Sequence, residues 1–196
     1  MTAARNLLTF VSSAVRSPGV IGAVAPSGRA LSDLLASVAP AHGPATVVEL
    51  GPGTGVVSEA LRRHLSPEAR HVAVELDRSM VALLRRSLPW LEVVPGDAKD
   101  LQKLLADIGI TTVDAIVSGL PWTLFSREAQ CAIMEQVNRV LVPGGVFTTF
   151  AYAHVKNLPT QRRFRDLLEQ SFDEVAVTPV VWRNFPPAIA YQCRNT

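Results

Sequence analysis

The chain of 196 residues contains only two cysteines, Cys131 and Cys193, without metal-ligand spacing. Neither a disulfide framework nor a bound metal is therefore expected to organise it, and a reduced, cytoplasmic setting fits. No apolar run approaches the ~20 residues of a membrane span. Charge of one sign is also in short supply: 19 Lys and Arg face 17 Asp and Glu, a formal +2, with a sequence pI near 8.8. That balance permits contact with an anionic surface, but there is no Lys/Arg stripe of the kind that marks a nucleic-acid enzyme. Repeats and low-complexity tracts are missing as well. Thr9, Ser12 and Ser13 interrupt the mildly apolar start, and no cleavage site follows, so a signal peptide is not expected. With 48% hydrophobic residues, the chain suffices for one domain over 1–196, expected as a monomer.

What the chain does have is a glycine turn in the right surroundings. The apolar run Val47-Val48-Glu49-Leu50 leads into Gly51-Pro52-Gly53-Thr54-Gly55, and an amphipathic run from Val56 to Leu65 follows. Strand, turn and helix in that order form the docking device of nucleotide-bearing cofactors, because glycine admits positive φ and close approach of a ligand. Val56 stands where the dinucleotide fingerprint places a third glycine, which argues against NAD or FAD. Downstream, strand patterns at 71–75, 91–94, 114–117 and 146–150 alternate with helical patterns at 78–87, 99–106 and 126–141. This predicts an α/β fold with a mostly parallel sheet covered on both faces. A helix at 160–171 and strands at 174–181 and 188–193 end the chain. The short link Arg183–Pro187 allows only a hairpin, so the last strand should run antiparallel. Ahead of the core (45–196), residues 1–40 read as two helical pieces forming a lid or a membrane-facing segment. In the first, Arg5, Thr9, Ser12 and Arg16 make one polar stripe beside Leu7, Leu8, Phe10 and Val11.

Ligands in such sheets bind beyond the carboxyl ends of the strands. Glu75, with Leu76 beside it, ends the second strand, where a carboxylate can accept hydrogen bonds from ribose hydroxyls. Asp77 competes for that role but is explained by helix capping. Asp97, in Gly96-Asp97-Ala98, follows the third strand, and capping would account for it too. Ser118-Gly119-Leu120-Pro121-Trp122 follows the fourth strand. Tyr152 and His154 follow the fifth.

The string Glu49-Leu50-Gly51-Pro52-Gly53-Thr54-Gly55 resembles motif I of class I S-adenosylmethionine-dependent methyltransferases, and the closing antiparallel hairpin extends the resemblance through a seven-stranded Rossmann-like sheet. The resemblance implies S-adenosylmethionine as cofactor and S-adenosylhomocysteine as product. It also implies Glu49, Gly51, Pro52, Gly53, Gly55, Glu75, Leu76, Gly96, Asp97, Ala98 and Ser118 as the cofactor's surroundings. Three further segments are similar to bacterial phospholipid N-methyltransferases: the opening segment from Arg16 to Ser27, the loop Ser118-Gly119-Leu120-Pro121, and Arg183-Asn184-Phe185-Pro186-Pro187. That similarity implies phosphatidylethanolamine, methylated towards phosphatidylcholine by a peripheral enzyme on the inner face of an anionic membrane.

On this reading Ser118, Trp122, Tyr152 and His154 are the catalytic candidates. Pro121, Trp122, Tyr152 and Arg183 are the substrate candidates, Arg183 pairing with the lipid phosphate. Pro121-Trp122 also resembles the ribosomal RNA adenine dimethylases. Ser118 stands where those enzymes carry Asn or Asp, and their helical RNA domain has no counterpart after the closing hairpin. An RNA adenine N6-dimethyltransferase and a small-molecule amine methyltransferase remain the alternatives.

Overall fold

In a computed structural model, the structure describes residues 28–155 and 158–195. The amphipathic stripe from Arg5 to Arg16 and the opening segment through Ser27 lie outside the described residues. Helix α1 (Arg29–Ala36) is the described part of the second N-terminal piece. Strand β1 (Thr46–Leu50) and helix α2 (Val56–His64) flank the glycine turn, followed by β2 (Arg70–Glu75), α3 (Arg78–Ser87) and β3 (Glu92–Pro95). Then come α4 (Leu101–Ala106), β4 (Val113–Ser118), α5 (Arg127–Val140), β5 (Leu141–Tyr152), α6 (Pro159–Ser171), β6 (Glu174–Val177) and β7 (Ala188–Arg194).

The strands form one seven-stranded sheet in the order β3-β2-β1-β4-β5-β7-β6. β1 pairs in parallel with both β2 and β4, and β7 runs antiparallel between β5 and β6. This is the expected Rossmann-like class I architecture.

Alternation along the strands divides the core into two layers. Val47 points to the side where Leu31, Leu35, Val57 and Leu61 of α1 and α2 pack. Val48 and Leu50 point to the other, where Leu101, Leu105, Ile133, Val137, Phe164 and Leu168 of α4, α5 and α6 pack. α3 covers Ala73 and Val93 with Val81 and Leu84. Each buried Leu or Val contributes roughly 1.5–3 kcal/mol of burial free energy. Both cysteines are free, and burial pushes the Cys193 thiol up to about 12.

Two boundaries differ most from the sequence expectation. β5 begins at Leu141, because Pro143-Gly144-Gly145 forms an irregularity within the strand where the β4–β5 register shifts between Val113 and Ala115. β6 ends at Val177 instead of Val181. Pro179 has no N–H to donate, and Thr178 Oγ1 accepts the Ala190 N–H at 2.9 Å in place of a ladder carbonyl. One bridge, Val181 to Ala188, survives beyond it.

Candidate active site at the carboxyl edge of the sheet

The sheet reverses its strand order between β1 and β4, the place where open α/β folds leave a crevice for ligands. The glycine turn sits there with Gly51, Gly53 and Gly55 all at positive φ (68°, 56° and 89°). Their surroundings differ. A Cβ on Gly51 would meet Leu120 Cδ2 at 2.8 Å, and one on Gly55 would overlap Leu88 Cδ1. At Gly53 a Cβ would meet nothing within 4 Å. The outer two glycines thus let neighbouring elements close in, while Gly53 presents bare backbone to open space.

Beside that space stands Glu75. Its Oε2 accepts the Gly53 N–H at 3.3 Å and its Oε1 accepts the Asp77 N–H at 2.9 Å. Burial raises the Glu75 carboxyl above the usual range, opposed by the backbone N–H groups of Asp77, Gly53 and Leu76. Leu76 is exposed next to it. Asp77 caps α3, accepting the Ser79 N–H at 2.7 Å and the Met80 N–H at 3.3 Å. Of the two acids, Glu75 alone faces the glycine turn with its carboxylate. Asp97 caps the short 3-10 turn Ala98–Asp100 through the Lys99 N–H (3.0 Å), and its other oxygen pairs with Lys99 Nζ at 3.2 Å. Ala98 is buried behind it.

Glu49, which the resemblance implies as holding the turn or the methionine end of the cofactor, stands two residues before the glycine turn. Its side chain lies on the α1–α2 face, where Oε2 accepts the Ser58 hydroxyl at 2.6 Å. His71 Nε2 approaches the same oxygen at 3.2 Å, near enough for electrostatic pairing though not aligned for a hydrogen bond. Glu49 therefore fixes α2 beneath the turn. No sequence motif pointed to Ser58 or His71 as its partners.

The loop after β4 docks directly on the glycine turn. Gly119 N–H donates to Leu50 O at 2.8 Å, and a Cβ on Gly119 would lie 2.7 Å from Gly51 O. Ser118 is fully buried. Its Oγ accepts the Trp122 indole N–H at 3.1 Å and the Leu120 N–H at 3.3 Å. Gln130 Nε2 donates to Trp122 O at 2.6 Å, and Thr149 Oγ1 donates to Ser118 O at 3.0 Å. Trp122 stacks on Phe164 at 4.9 Å and meets Phe147 edge-on at 6.0 Å.

Ser118 and Trp122 are thereby moved from the reacting groups to the frame. Trp122, 2% exposed, has both faces inside the core and cannot cover a methylammonium. The Ser118 oxygen is engaged in holding the loop. Pro121, in the same loop, is half-buried. Gln130 and Thr149, which complete this frame, carry no recognisable local signal in the sequence.

Tyr152 ends β5, half-buried against the α1–α2 cluster and edge-on to Phe150 at 5.6 Å. Burial raises its hydroxyl above the ordinary phenol range. The exposed ring of His154 stacks on it at 5.9 Å. Ala153 N–H then donates to Pro187 O at 2.7 Å, bringing the β6–β7 loop alongside.

In that loop Arg183 is exposed, whereas Asn184 is buried. Asn184 Oδ1 accepts the Gly28 N–H and its Nδ2 donates to Pro186 O, each at 2.6 Å. The residue directly after the opening segment is thus tied to the Arg-Asn-Phe-Pro-Pro loop, although 156 positions separate them. Among the described residues no group of three or more His, Cys, Asp or Glu is placed to hold a metal.

Bare backbone at Gly53, a neighbouring carboxylate and a capping acid beyond the next strand suit a hydroxyl-bearing nucleoside. Comparisons with known proteins agree. A family described as "Methyltransferase domain" matches residues 47–145. The ornithine lipid N-methyltransferase of Singulisphaera acidiphila is 33% identical over 97% of this chain and 97% of its own length. Ribosomal RNA small subunit methyltransferase A of Burkholderia multivorans is 37% identical, but over 49% of this chain and 36% of its own. The solved O-methyltransferase TomG of Streptomyces achromogenes, in complex with S-adenosylmethionine, superimposes with a TM-score of 0.64 at 20% identity, covering 96% of this chain and 89% of that one.

The family and the fold are those of an enzyme that takes its methyl group from S-adenosylmethionine. The chain belongs to the class I S-adenosylmethionine-dependent methyltransferases and resembles their lipid N-methyltransferases.

Proposed function

We propose that this enzyme methylates the head-group amine of a membrane lipid, with phosphatidylethanolamine, converted towards phosphatidylcholine, as the leading acceptor. The observation that carries the reading is the extent of the likeness. The ornithine lipid enzyme is matched from end to end, the ribosomal RNA enzyme over about half of this chain. An amine borne on a lipid is the feature shared by ornithine lipid and phosphatidylethanolamine. The work would take place at the inner membrane face, the enzyme attached peripherally. Among the described residues no helix is long and apolar enough to cross a membrane.

The cofactor, when bound, supplies a methyl group already activated by the sulfonium. The chain's own residues have three tasks. Glu75 would accept hydrogen bonds from the ribose hydroxyls, the backbone at Gly53 would leave room for the cofactor, and Asp97 would address the adenine edge. Next, the loop at Pro121, held rigid by Ser118 and Trp122, positions the amine in line with the methyl at about 3 Å. Transfer would form the N–C bond from the nitrogen lone pair and leave the C–S pair on sulfur, so the amine must present that lone pair free. Finally, the acceptor amine must shed a proton, since an alkylamine titrates at about 10. His154, stacked on Tyr152 at the carboxyl edge, is the group we assign to receive it. Arg183 would pair with the lipid phosphate.

Incubation with radiolabelled S-adenosylmethionine and vesicles of varied head group, beside ribosomal RNA and small amines, tests the assignment. Label in amine lipid is expected. Label in RNA alone, or in small amines alone, replaces the reading with the corresponding alternative.

A further inference from the structure

The exposed large apolar side chains of the described residues are not scattered evenly. Of the seven, Trp90 lies between α3 and β3 and Leu76 flanks Glu75; the other five are Leu124, Leu158, Val177, Trp182 and Phe185. Leu124 follows β4, Leu158 leads α6 after β5, Val177 ends β6, and Trp182 and Phe185 stand in the loop entering β7. These four strands are neighbours in the sheet, and the antiparallel register of β7 puts its first residue, Ala188, opposite Tyr152 at the carboxyl end of β5. All five therefore rim the acceptor half of the carboxyl edge. Trp182 and Phe185 are 77% and 87% exposed, while the residue pinning their loop, Asn184, is 2% exposed and bonded to both Gly28 and Pro186. Two large rings are thus held outward on a fixed tip, with Arg183 between them.

We infer that this tip is a membrane anchor, Trp182 and Phe185 entering the boundary between head groups and acyl chains so that the acceptor edge lies on the bilayer. Three observations favour a bilayer over a protein partner. The tip protrudes, whereas a protein ligand is usually met by a groove or a broad flat patch. Trp and Phe beside Arg is an interfacial composition, the rings in the boundary and the guanidinium at phosphate level. Arg162 and Arg163, exposed in the first turns of α6 with no acidic residue in its first turn, carry positive charge at the end of the helix that is itself positive. An anionic surface outside the protein relieves that placement. The inference rests on the lipid-amine reading above and adds the surface by which the enzyme reaches its substrate.

The test uses the full chain and vesicles of phosphatidylglycerol with phosphatidylethanolamine. W182A/F185A should bind them at least about tenfold more weakly than wild type, while calorimetry shows unchanged affinity for S-adenosylmethionine. The Trp182 emission, isolated as the difference between wild type and W182F, should shift to the blue on adding vesicles and be quenched by brominated acyl chains. Vesicle affinity of W182A/F185A within about twofold of wild type would overturn the inference. So would a Trp182 emission already blue without vesicles and unmoved by them, the mark of a tip covered by residues 1–27 or by a second copy. Failure of the lipid-amine reading looks different: wild type transfers no methyl to any amine lipid, whatever its vesicle affinity.

Discussion

The carboxyl edge over β1, β2 and β3 is made of backbone and carboxylates, while the same edge over β4, β5 and β7 is made of packed aromatics and protruding apolar side chains. On the first half the groups at the strand ends are the Gly53 backbone, Glu75 and the capping carboxylate of Asp97. On the second half, polar groups such as Ser118, Gln130 and Asn184 are turned inward to brace loops. A cofactor with fixed hydrogen-bonding groups needs fixed partners, which strand ends and helix caps supply. An acceptor that arrives from a surface needs instead a stiff rim of the right shape. The two halves meet where Gly119 lies against Gly51, and that seam is where a substitution should do the most damage.

G119A places a Cβ 2.7 Å from the Gly51 carbonyl, a backbone atom that cannot swing aside. Overpacking of this kind costs about 1–3 kcal/mol or more, and relief requires the glycine turn and the acceptor loop to part. Both cofactor affinity and methyl transfer should fall by about a hundredfold or more, converting ~3 kcal/mol at 1.4 kcal/mol per decade. Calorimetry with S-adenosylhomocysteine reads the first and labelled transfer the second. Retained affinity with lost transfer would show that the two halves are less tightly joined than the contact implies.

A more selective perturbation is E75Q, which removes the charge on the cofactor side alone. Hydrogen bonds to a charged group contribute about 1.5–3 kcal/mol, so cofactor affinity should drop roughly 10–100-fold. The pH dependence sharpens this. Burial raises the Glu75 carboxyl, so its contribution to the stability of the ligand-free protein is fully present below the unfolded pKa. That contribution is lost as pH rises through the folded value. Cofactor affinity runs the other way, rising over the same window as the carboxylate that accepts the hydroxyls is formed. Taken as the difference between wild type and E75Q, thermal melts and calorimetry across the acidic range should show slopes of opposite sign.

The same division separates what the amino-acid sequence discloses by itself from what only the folded chain shows. The cofactor half is legible because its devices are local. A strand, a glycine turn and a helix lie within twenty residues, and acids follow strand ends at predictable places. Even there the partner of Glu49 is not legible, because a residue within a strand faces whichever layer alternation dictates, and position 49 falls with Val47 on the α1–α2 side, against Ser58. The acceptor half is less legible because its devices join distant positions. Ser118 needs Trp122 and Thr149, Trp122 needs Gln130 and Phe164, and Asn184 needs Gly28. The antiparallel hairpin is readable from loop length, but not the side-chain oxygen of Thr178 that ends β6 early.

The gentlest test asks whether Ser118 frames the site or reacts in it. If it frames, S118A leaves the indole N–H of buried Trp122 without its acceptor, at a cost of about 1–3 kcal/mol to stability. W122F instead removes the donor, and Ser118 Oγ keeps the Leu120 N–H. Once Trp122 is Phe, adding S118A should therefore cost much less than it does in wild type, a coupling of about 1 kcal/mol in a double-mutant cycle read by denaturant melts. Cofactor affinity should be nearly unaffected and kcat reduced only a few-fold, through slackening of the Pro121 loop. A reacting serine predicts the reverse pattern: S118A would lower kcat by orders of magnitude, with little change in stability and no coupling to Trp122. The two patterns differ in which measurement moves, so one set of melts and one set of rates decide whether the acceptor half works through its buried frame or through the hydroxyl itself.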